Sequence, residues 1–179
     1  VVFAEDGLAT ESIAVTLTNT SPSDDPKSGG GTYRVYGRLI VPADSAIESV
    51  TLDGVPLSEK SSKKKGPTEP PYLANEGNGE SRILGVALDV PRGQHRQLVI
   101  SYRRQVPLTF LGNRSTYDLF VQKQPGILHT DLIVDVTFPI FWQSRTVVAG
   151  KQSFLANQTR LEYNTSLTEN KQFTIKFSK

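Results

Sequence analysis

The sequence predicts an all-β protein, an antiparallel β-sandwich of immunoglobulin-like or related type. Val, Ile and Thr supply 41 of the 179 residues, whereas Ala supplies only 9. Branching at Cβ stiffens the first side-chain torsion and favours strands over helices. Apolar and polar residues also alternate with a period of two in several runs, which is typical of strands with one buried face. No run has a sustained period of 3.6, and only Ala43 to Val50 is a candidate for a short helical turn.

Seven alternating runs define the predicted strands. Each run offers one apolar face, and antiparallel sheets with such faces pack over a shared core. The apolar positions are, in chain order, Ile13, Val15 and Leu17; Tyr33, Val35, Leu39 and Val41; Leu84, Val86, Leu88 and Val90; Leu98, Ile100 and Tyr102; Tyr117, Leu119 and Val121; Leu132, Val134, Val136 and Phe138; and Phe173, Ile175 and Phe177.

Turn residues separate these runs. Asp53-Gly54 lies between two short apolar stretches and predicts a two-residue hairpin. Pro91-Arg92-Gly93-Gln94 and Gln124-Pro125-Gly126 predict two further reversals of the chain. Long loops are predicted at 21–31 and 59–80, and we interpret both as flexible tips on a rigid sandwich.

The length suits one large all-β domain or two small ones. A seam near Val106-Pro107 is a possible boundary between two lobes. Because the runs on both sides are equally strand-like, we expect one continuous domain over 1–179. The sequence starts with Val1 rather than Met, so we expect a fragment of a longer protein whose targeting or anchoring part lies elsewhere.

Composition argues against several classes of function. The chain has no Cys, which removes disulfides, zinc fingers and thiol nucleophiles together. Its net charge of +2 is too small for a nucleic-acid-binding surface. The sequence has no run of about 18 apolar residues, which is the length that a helix needs to span a bilayer. We therefore predict no metal, no cofactor, no nucleic-acid partner and no membrane contact except through an anchor absent from this chain.

Catalytic motifs are also weak. The sequence has no G-x-S-x-G turn to present a serine nucleophile. His129 lies close to Asp131, but Asp131 and Asp135 alternate with apolar residues and are expected to face solvent. We predict that the protein is not an enzyme. The alternative of a hydrolase that acts on polysaccharide through two carboxylates is not excluded by the sequence.

Three groups of residues are candidates for binding. Arg34, Tyr36 and Arg38 share the face of a strand opposite its apolar positions, where they could bind a partner or form an ordinary cross-strand ladder. Trp142 belongs to an aromatic group around Pro139 that could form a sugar platform or pack in the core. The lysine cluster could meet an anionic polymer or a membrane surface, or be a solvated loop; its candidate residues are Lys63, Lys64 and Lys65.

The stretch Tyr117–Gly126 (YDLFVQKQPG) resembles the C-terminal β-region of bacterial proteins classed as domain of unknown function 4012. Tyr33–Pro42 and Leu98–Tyr102 follow the order of that region, and the resemblance covers roughly residues 10–140. It is most specific at the Lys-Gln-Pro-Gly turn. The resemblance implies an extracytoplasmic, membrane-anchored protein with a helical region before the β-module, no established activity and no catalytic residues to transfer.

These observations together favour a non-catalytic structural or interaction module of a bacterial cell-surface protein. Its expected partners are other cell-surface proteins or polysaccharide, and its expected location is outside the membrane. The alternative is a carbohydrate-binding module that recognises cell-wall or capsular polysaccharide through Tyr36 or Trp142. Solvent exposure separates the two, because burial of Trp142 favours the scaffold role.

Overall fold

A computed structural model of the chain describes residues 1–25, 27, 30–57, 71–75, 81–124, 130–148, 155–156 and 159–179. Within these residues the fold is all-β, with fourteen strands and no α-helix. The predicted fold class is therefore confirmed. The chain divides into two compact units, and each has its own core.

Unit 1 consists of Val1–Thr10 and Val106–Lys179, and unit 2 consists of Glu11–Gln105. The division after Gln105 lies beside the predicted seam at Val106-Pro107. Strand β2 starts in unit 1 and ends in unit 2. That the whole chain forms one continuous domain stays a prediction.

Two sheets form unit 1. Its strands are β1 (Val2–Phe3), the start of β2 (Ala9–Thr18), β9 (Arg114–Val121), β10 (Asp131–Thr137), β11 (Gln143–Val148), β12 (Leu155–Ala156), β13 (Arg160–Ser166) and β14 (Lys171–Ser178). One sheet has the order β12-β13-β10-β1-β2, and the other has the order β11-β14-β9. Both sheets bury apolar side chains in one cluster, as a sandwich requires.

One pair of strands in unit 1 departs from the predicted antiparallel pattern. Strand β1 runs parallel to β10, with Val2 opposite Thr137, and antiparallel to β2, with Val2 opposite Thr10. The sheet is therefore mixed. A strand of two residues is too short to show an alternating pattern, so the sequence carried no signal for β1.

Unit 2 also has two sheets. Its strands are the rest of β2, β3 (Tyr33–Pro42), β4 (Ser45–Leu52), β5 (Val55–Pro56), β6 (Tyr72–Asn75), β7 (Ser81–Val90) and β8 (His95–Arg104). One sheet has the order β2-β8-β4-β5, and the other has the order β3-β7-β6. The predicted inward positions of β7 and β8 are buried together in one cluster, which includes Leu84, Val86, Leu88, Val90, Ile100 and Tyr102.

The Asp53-Gly54 hairpin is confirmed. Leu52 pairs with Val55 across the turn, and both turn residues have positive φ, 51° at Asp53 and 79° at Gly54. Positive φ at both positions is the requirement of the type I′ turn, whose twist matches that of the two strands it joins. The predicted reversal at Pro91–Gln94 is also present, since the Gln94 N–H donates to the Pro91 carbonyl at 3.1 Å.

Two local predictions were wrong. The stretch from Ala43 to Val50 contains no helical turn, because Ser45 starts a strand that buries Val50 and Leu52 in the core of unit 2. The predicted loop 59–80 is interrupted by strand β6, which pairs with β7 and buries Leu73. Residues 59–70 and 76–80 of that loop, and the Pro125-Gly126 turn, lie outside the described residues.

The middle strand of the smaller sheet in unit 1 provides a test of this core. Phe173 in β14 is 0% exposed, whereas Phe120 in β9 is 61% exposed. Phe173→Ala is expected to lower the free energy of unfolding by about 3–5 kcal/mol, because it removes buried area and leaves a cavity. Urea denaturation followed by the fluorescence of Trp142, the only tryptophan of the chain, measures this change in unit 1.

Phe120→Ala is the matched control, and a change within about 0.5 kcal/mol is expected at that exposed position. Equal losses from the two substitutions would contradict the core assignment.

Candidate functional site

Arg34, Tyr36 and Arg38 lie together on the exposed face of β3. All three side chains are exposed, and Tyr36 retains 45% of its accessible surface. Successive side chains of a strand point to opposite faces, and Val41 on the other face is buried in the core. The structure therefore brings these three candidate residues together, and we call them the β3 surface.

Arg34 is fixed by an ion pair with the neighbouring strand. Its Nε lies 2.8 Å from Asp89 Oδ1 and its Nη2 lies 2.9 Å from Asp89 Oδ2, which is a bidentate pair. The two residues are direct partners in the β3–β7 register. The hydrogen bond from Arg34 lowers the pKa of the Asp89 carboxyl below its ordinary value.

Tyr36 and Arg38 interact two positions apart on the same face. The guanidinium carbon of Arg38 lies 5.8 Å from the centroid of the Tyr36 ring, within the range of a cation–π contact. On β7 the partners of these two residues are small, Ala87 opposite Tyr36 and Gly85 opposite Arg38. Both side chains keep solvent-exposed surface, which a ligand or partner can reach.

Strand β3 lies at the edge of its sheet. Among the described residues β3 pairs with β7 alone, and this pairing runs through all ten of its residues. An edge strand presents backbone N–H and C=O groups on its outer side, which form a template for another strand. Exposed Ile40 and Tyr33 add apolar surface to the same strand. The β3 surface thus combines a backbone edge with an aromatic ring and two guanidinium groups.

Trp142 is not part of this surface, and the interpretation of its indole as a sugar platform was wrong. Its side chain is 1% exposed. Its ring packs against Phe3, Phe110 and Phe177, with centroid separations of 5.6, 4.8 and 5.4 Å. A buried indole has no accessible face on which a sugar can stack. Lys63, Lys64 and Lys65, the third candidate group, lie outside the described residues, as does His129.

A buried polar group that the sequence analysis missed lies in unit 2. Glu11 in β2 is 5% exposed, and the Tyr102 hydroxyl donates to its Oε2 at 2.6 Å. Arg104 Nη1 lies 3.8 Å from Glu11 Oε1, and Arg104 Nε also donates to Asp44 at 2.9 Å. Glu11 shares the parity of Ile13 and Leu17, so the period of two could have placed it on the buried face.

Burial and the hydrogen bond to Glu11 raise the pKa of Tyr102 far above its ordinary value of 10.0. The phenol therefore remains protonated at every physiological pH and serves as a donor that holds a buried carboxylate. The contacts connect β2, β8 and the turn before β4. We assign this group a structural role.

Two of the surface clefts formed by described residues have charged side chains in their lining. One, of about 520 Å³, lies beside Asn19, Asp24 and Arg92. Its arginine is already held by Asp24 Oδ2 at 2.9 Å and by the Pro22 carbonyl at 3.1 Å, so it clamps the loop. The other, of about 600 Å³, lies beside Arg114 and Lys176. Within the described residues, no three His, Asp or Glu side chains converge to hold a metal ion.

A search of protein-family models and a search of curated proteins each return no match for this chain. The resemblance to domain of unknown function 4012 therefore stays a prediction. In the part of the chain that the structure describes, no helix has the length and apolarity needed to cross a bilayer.

The pairing of Tyr102 with Glu11 predicts a specific alkaline response. Above pH 10 the phenol ionises in the unfolded chain but not in the folded one, so the unfolded state is stabilised as the pH rises. At pH 11 this effect is expected to lower the free energy of unfolding by about 1 kcal/mol relative to pH 8. The Tyr102→Phe protein lacks this loss of stability because it has no phenol at position 102. Any ionisation of the other tyrosines changes the free energy of unfolding of both proteins equally.

Urea titrations of the wild-type and Tyr102→Phe proteins at pH 8 and pH 11 measure the difference. At pH 8 the variant is expected to be less stable by about 1–3 kcal/mol, because buried Glu11 loses a donor. By pH 11 the difference in the free energy of unfolding between the wild type and the variant should narrow by the alkaline contribution. The exposed control Tyr33→Phe should follow the wild type. A gap that stays constant between the two pH values would refute the coupling.

Proposed function

We propose that this chain is a non-catalytic structural or interaction module of a bacterial cell-surface protein, displayed outside the membrane. The observation that supports the interaction role most is the β3 surface, where an edge strand of ten residues carries an exposed aromatic ring between two arginines. The resemblance at the Lys-Gln-Pro-Gly turn supports the compartment. The expected partners are other cell-surface proteins or polysaccharide.

Strand addition is the binding mode that this geometry fits. In that mode an extended segment of a partner forms hydrogen bonds with an exposed sheet edge, and side-chain contacts supply the specificity. Here the outer edge of β3 would supply the backbone groups, while Tyr36 and Arg38 would contact alternate side chains of the partner. The ion pair between Arg34 and Asp89 holds one end of the surface in place before binding, which lowers the entropy lost on association.

A carbohydrate-binding role is the second candidate, and one observation favours it. The ring of Tyr36 is exposed on a sheet face with guanidinium donors nearby, an arrangement able to stack on a sugar ring and bond its hydroxyls. The burial of Trp142 removes the larger of the two aromatic groups on which this alternative depended. The protein-interaction role is therefore the stronger proposal.

Carbohydrate binding separates the two candidates. For an interaction module, glycan arrays and purified peptidoglycan or capsular polysaccharide are expected to retain the wild-type chain no more than Tyr36→Ala. Phe120→Ala, which removes an exposed ring from unit 1, controls for nonspecific aromatic adhesion. Retention that falls at least about tenfold in Tyr36→Ala, but not in Phe120→Ala, would instead establish the sugar-binding candidate; such a change corresponds to about 1.4 kcal/mol.

The compartment is tested by labelling intact cells that produce the protein in which this chain occurs. The chain has no native Cys, so Val55→Cys on exposed strand β5 introduces a unique accessible thiol. A membrane-impermeant maleimide is expected to label it without cell lysis. Ile100→Cys, buried in unit 2, is the matched control and should react only after unfolding. Labelling of Val55→Cys that requires lysis would exclude display outside the membrane.

A further inference from the structure

We propose that the β3 surface pairs with the same surface of a second copy, antiparallel, about a twofold axis that passes through Gly37. This inference rests on the proposed function and names the partner of the same surface. The β3-β7-β6 sheet of each copy would then join that of the other into one continuous sheet of six strands, in the order β6-β7-β3-β3-β7-β6.

The exposed face of β3 complements itself in this register. A twofold axis at Gly37 places Tyr36 opposite Arg38 of the second copy, and Arg34 opposite Ile40. The Tyr36–Arg38 contact occurs twice, once on each side of the axis. The same two side-chain types already contact each other within one chain, at 5.8 Å. Cross-strand partners lie close enough for such pairs to stabilise a sheet.

The opposite face of β3 is self-complementary as well. The axis at Gly37 places Val35 opposite Leu39 of the second copy, and Tyr33 opposite Val41. Val35 and Leu39 are only partly buried in one copy and pack against the edge of the core of unit 2. A second β3 would cover this edge with matching apolar side chains, and so extend both cores across the junction.

Charge repulsion and the number of paired residues favour the axis at Gly37 over axes at neighbouring positions. An axis at Tyr36 would place Arg34 opposite Arg38, and an axis at Arg38 would place the two Arg38 side chains opposite each other. Like charges directly opposite destabilise a pair of strands. Shifts that mix odd and even positions would turn apolar side chains to the solvent face. The Gly37 register avoids these defects and pairs nine of the ten residues, from Tyr33 to Val41.

Gly37 is the residue that would lie opposite its own counterpart at the twofold axis, so a cysteine at this position can report the pairing. Among the described residues, a Cβ placed on Gly37 would meet only the Val86 carbonyl oxygen, at 3.9 Å, which is an ordinary contact. A cysteine therefore fits at this position within one chain. In an antiparallel pair, directly opposite Cα atoms are about 4.5–5.5 Å apart, which is within the range that a disulfide bridges.

Disulfide trapping tests the register. The chain has no native Cys, so a disulfide between two protein thiols can join a single introduced cysteine only to its counterpart in another copy. With oxidised glutathione as the oxidant, two Gly37→Cys thiols are expected to form one disulfide that links a dimer. Each thiol gives up one proton and one electron, and the oxidant is reduced to two molecules of glutathione. Ile40→Cys is the matched control on the same strand. Its two thiols would lie six residues apart along the strands, about 20 Å, and should not form a bridge.

The oligomeric state of the protein without cysteine tests the surface. Sedimentation equilibrium of the wild type is expected to show a monomer–dimer equilibrium in the micromolar range. Tyr36→Arg, which creates an Arg–Arg pair across the axis, should raise the dissociation constant at least about tenfold. Val55→Arg makes the same change in charge on edge strand β5 and should leave the equilibrium unchanged.

A wild type that stays monomeric at about 100 μM, or cross-linking no faster in Gly37→Cys than in Ile40→Cys, would overturn the inference. If either occurred while Val55→Cys was still labelled on intact cells, the proposed function would stand and only the homotypic partner would fail. If Gly37→Cys formed the trapped dimer while Val55→Cys was not labelled on intact cells, the homotypic pairing would stand and the proposed display outside the membrane would fail.

Discussion

Each strand in both units must bury one face in a small core while its other face meets solvent, and the rest of the structure depends on this constraint. The two units satisfy it by pairing a larger sheet with a three-stranded sheet. Apolar side chains of β7, β8 and β4 fill one core, and those of β10, β13 and β14 fill the other. A three-stranded sheet has a middle strand buried on one face and two edge strands. Each such sheet therefore combines a well-packed centre with an exposed rim.

The β3 surface is a consequence of that geometry. Strand β3 contributes Val41 to the core and leaves its outer backbone groups at the rim of the sheet. Natural sheets limit unwanted pairing at such rims with charged residues and proline, and β3 has Arg34, Arg38 and Pro42. Arg34 and Arg38 also distinguish one register of pairing from another. The same charges that oppose pairing with an arbitrary strand therefore favour one particular partner strand.

The fold class and much of the strand content could be predicted from the sequence, because a period of two over long runs is a strong local signal. The β7 run, with Leu84 to Val90 at alternate positions, is the clearest case. The hairpin at Asp53-Gly54 was also predictable, since few residue pairs accept two consecutive positive φ angles. Strands of two to four residues, such as β1 and β6, were not, because their places depend on neighbours that are distant in the chain.

The candidate site was predictable only in part, for a related reason. Parity along β3 put Arg34, Tyr36 and Arg38 on one face, and this grouping is correct. That β3 lies at an edge depends on the order of strands in the sheet, which alternation does not encode. Trp142 shows the same limit. The sequence alone does not show that phenylalanines distant in the chain surround its indole, so it could not decide between a sugar platform and core packing. The carboxylate of Glu11 was overlooked because a charge was not expected on a buried face.

The turn at Asp53-Gly54 has a further consequence for the chemical ageing of the protein. Among sequences that begin with aspartate, Asp-Gly is the one most prone to succinimide formation, in which the next backbone nitrogen attacks the side-chain carboxyl carbon and water is lost. In the fold Asp53 Oδ1 accepts the Gln97 N–H at 2.8 Å and Oδ2 accepts Arg96 at 2.7 Å. These bonds hold the carboxyl in its ionised, less electrophilic form, since they lower its pKa. The contacts that join this turn to β8 therefore protect the Asp53-Gly54 peptide unit from isomerisation for as long as β4 and β8 stay paired.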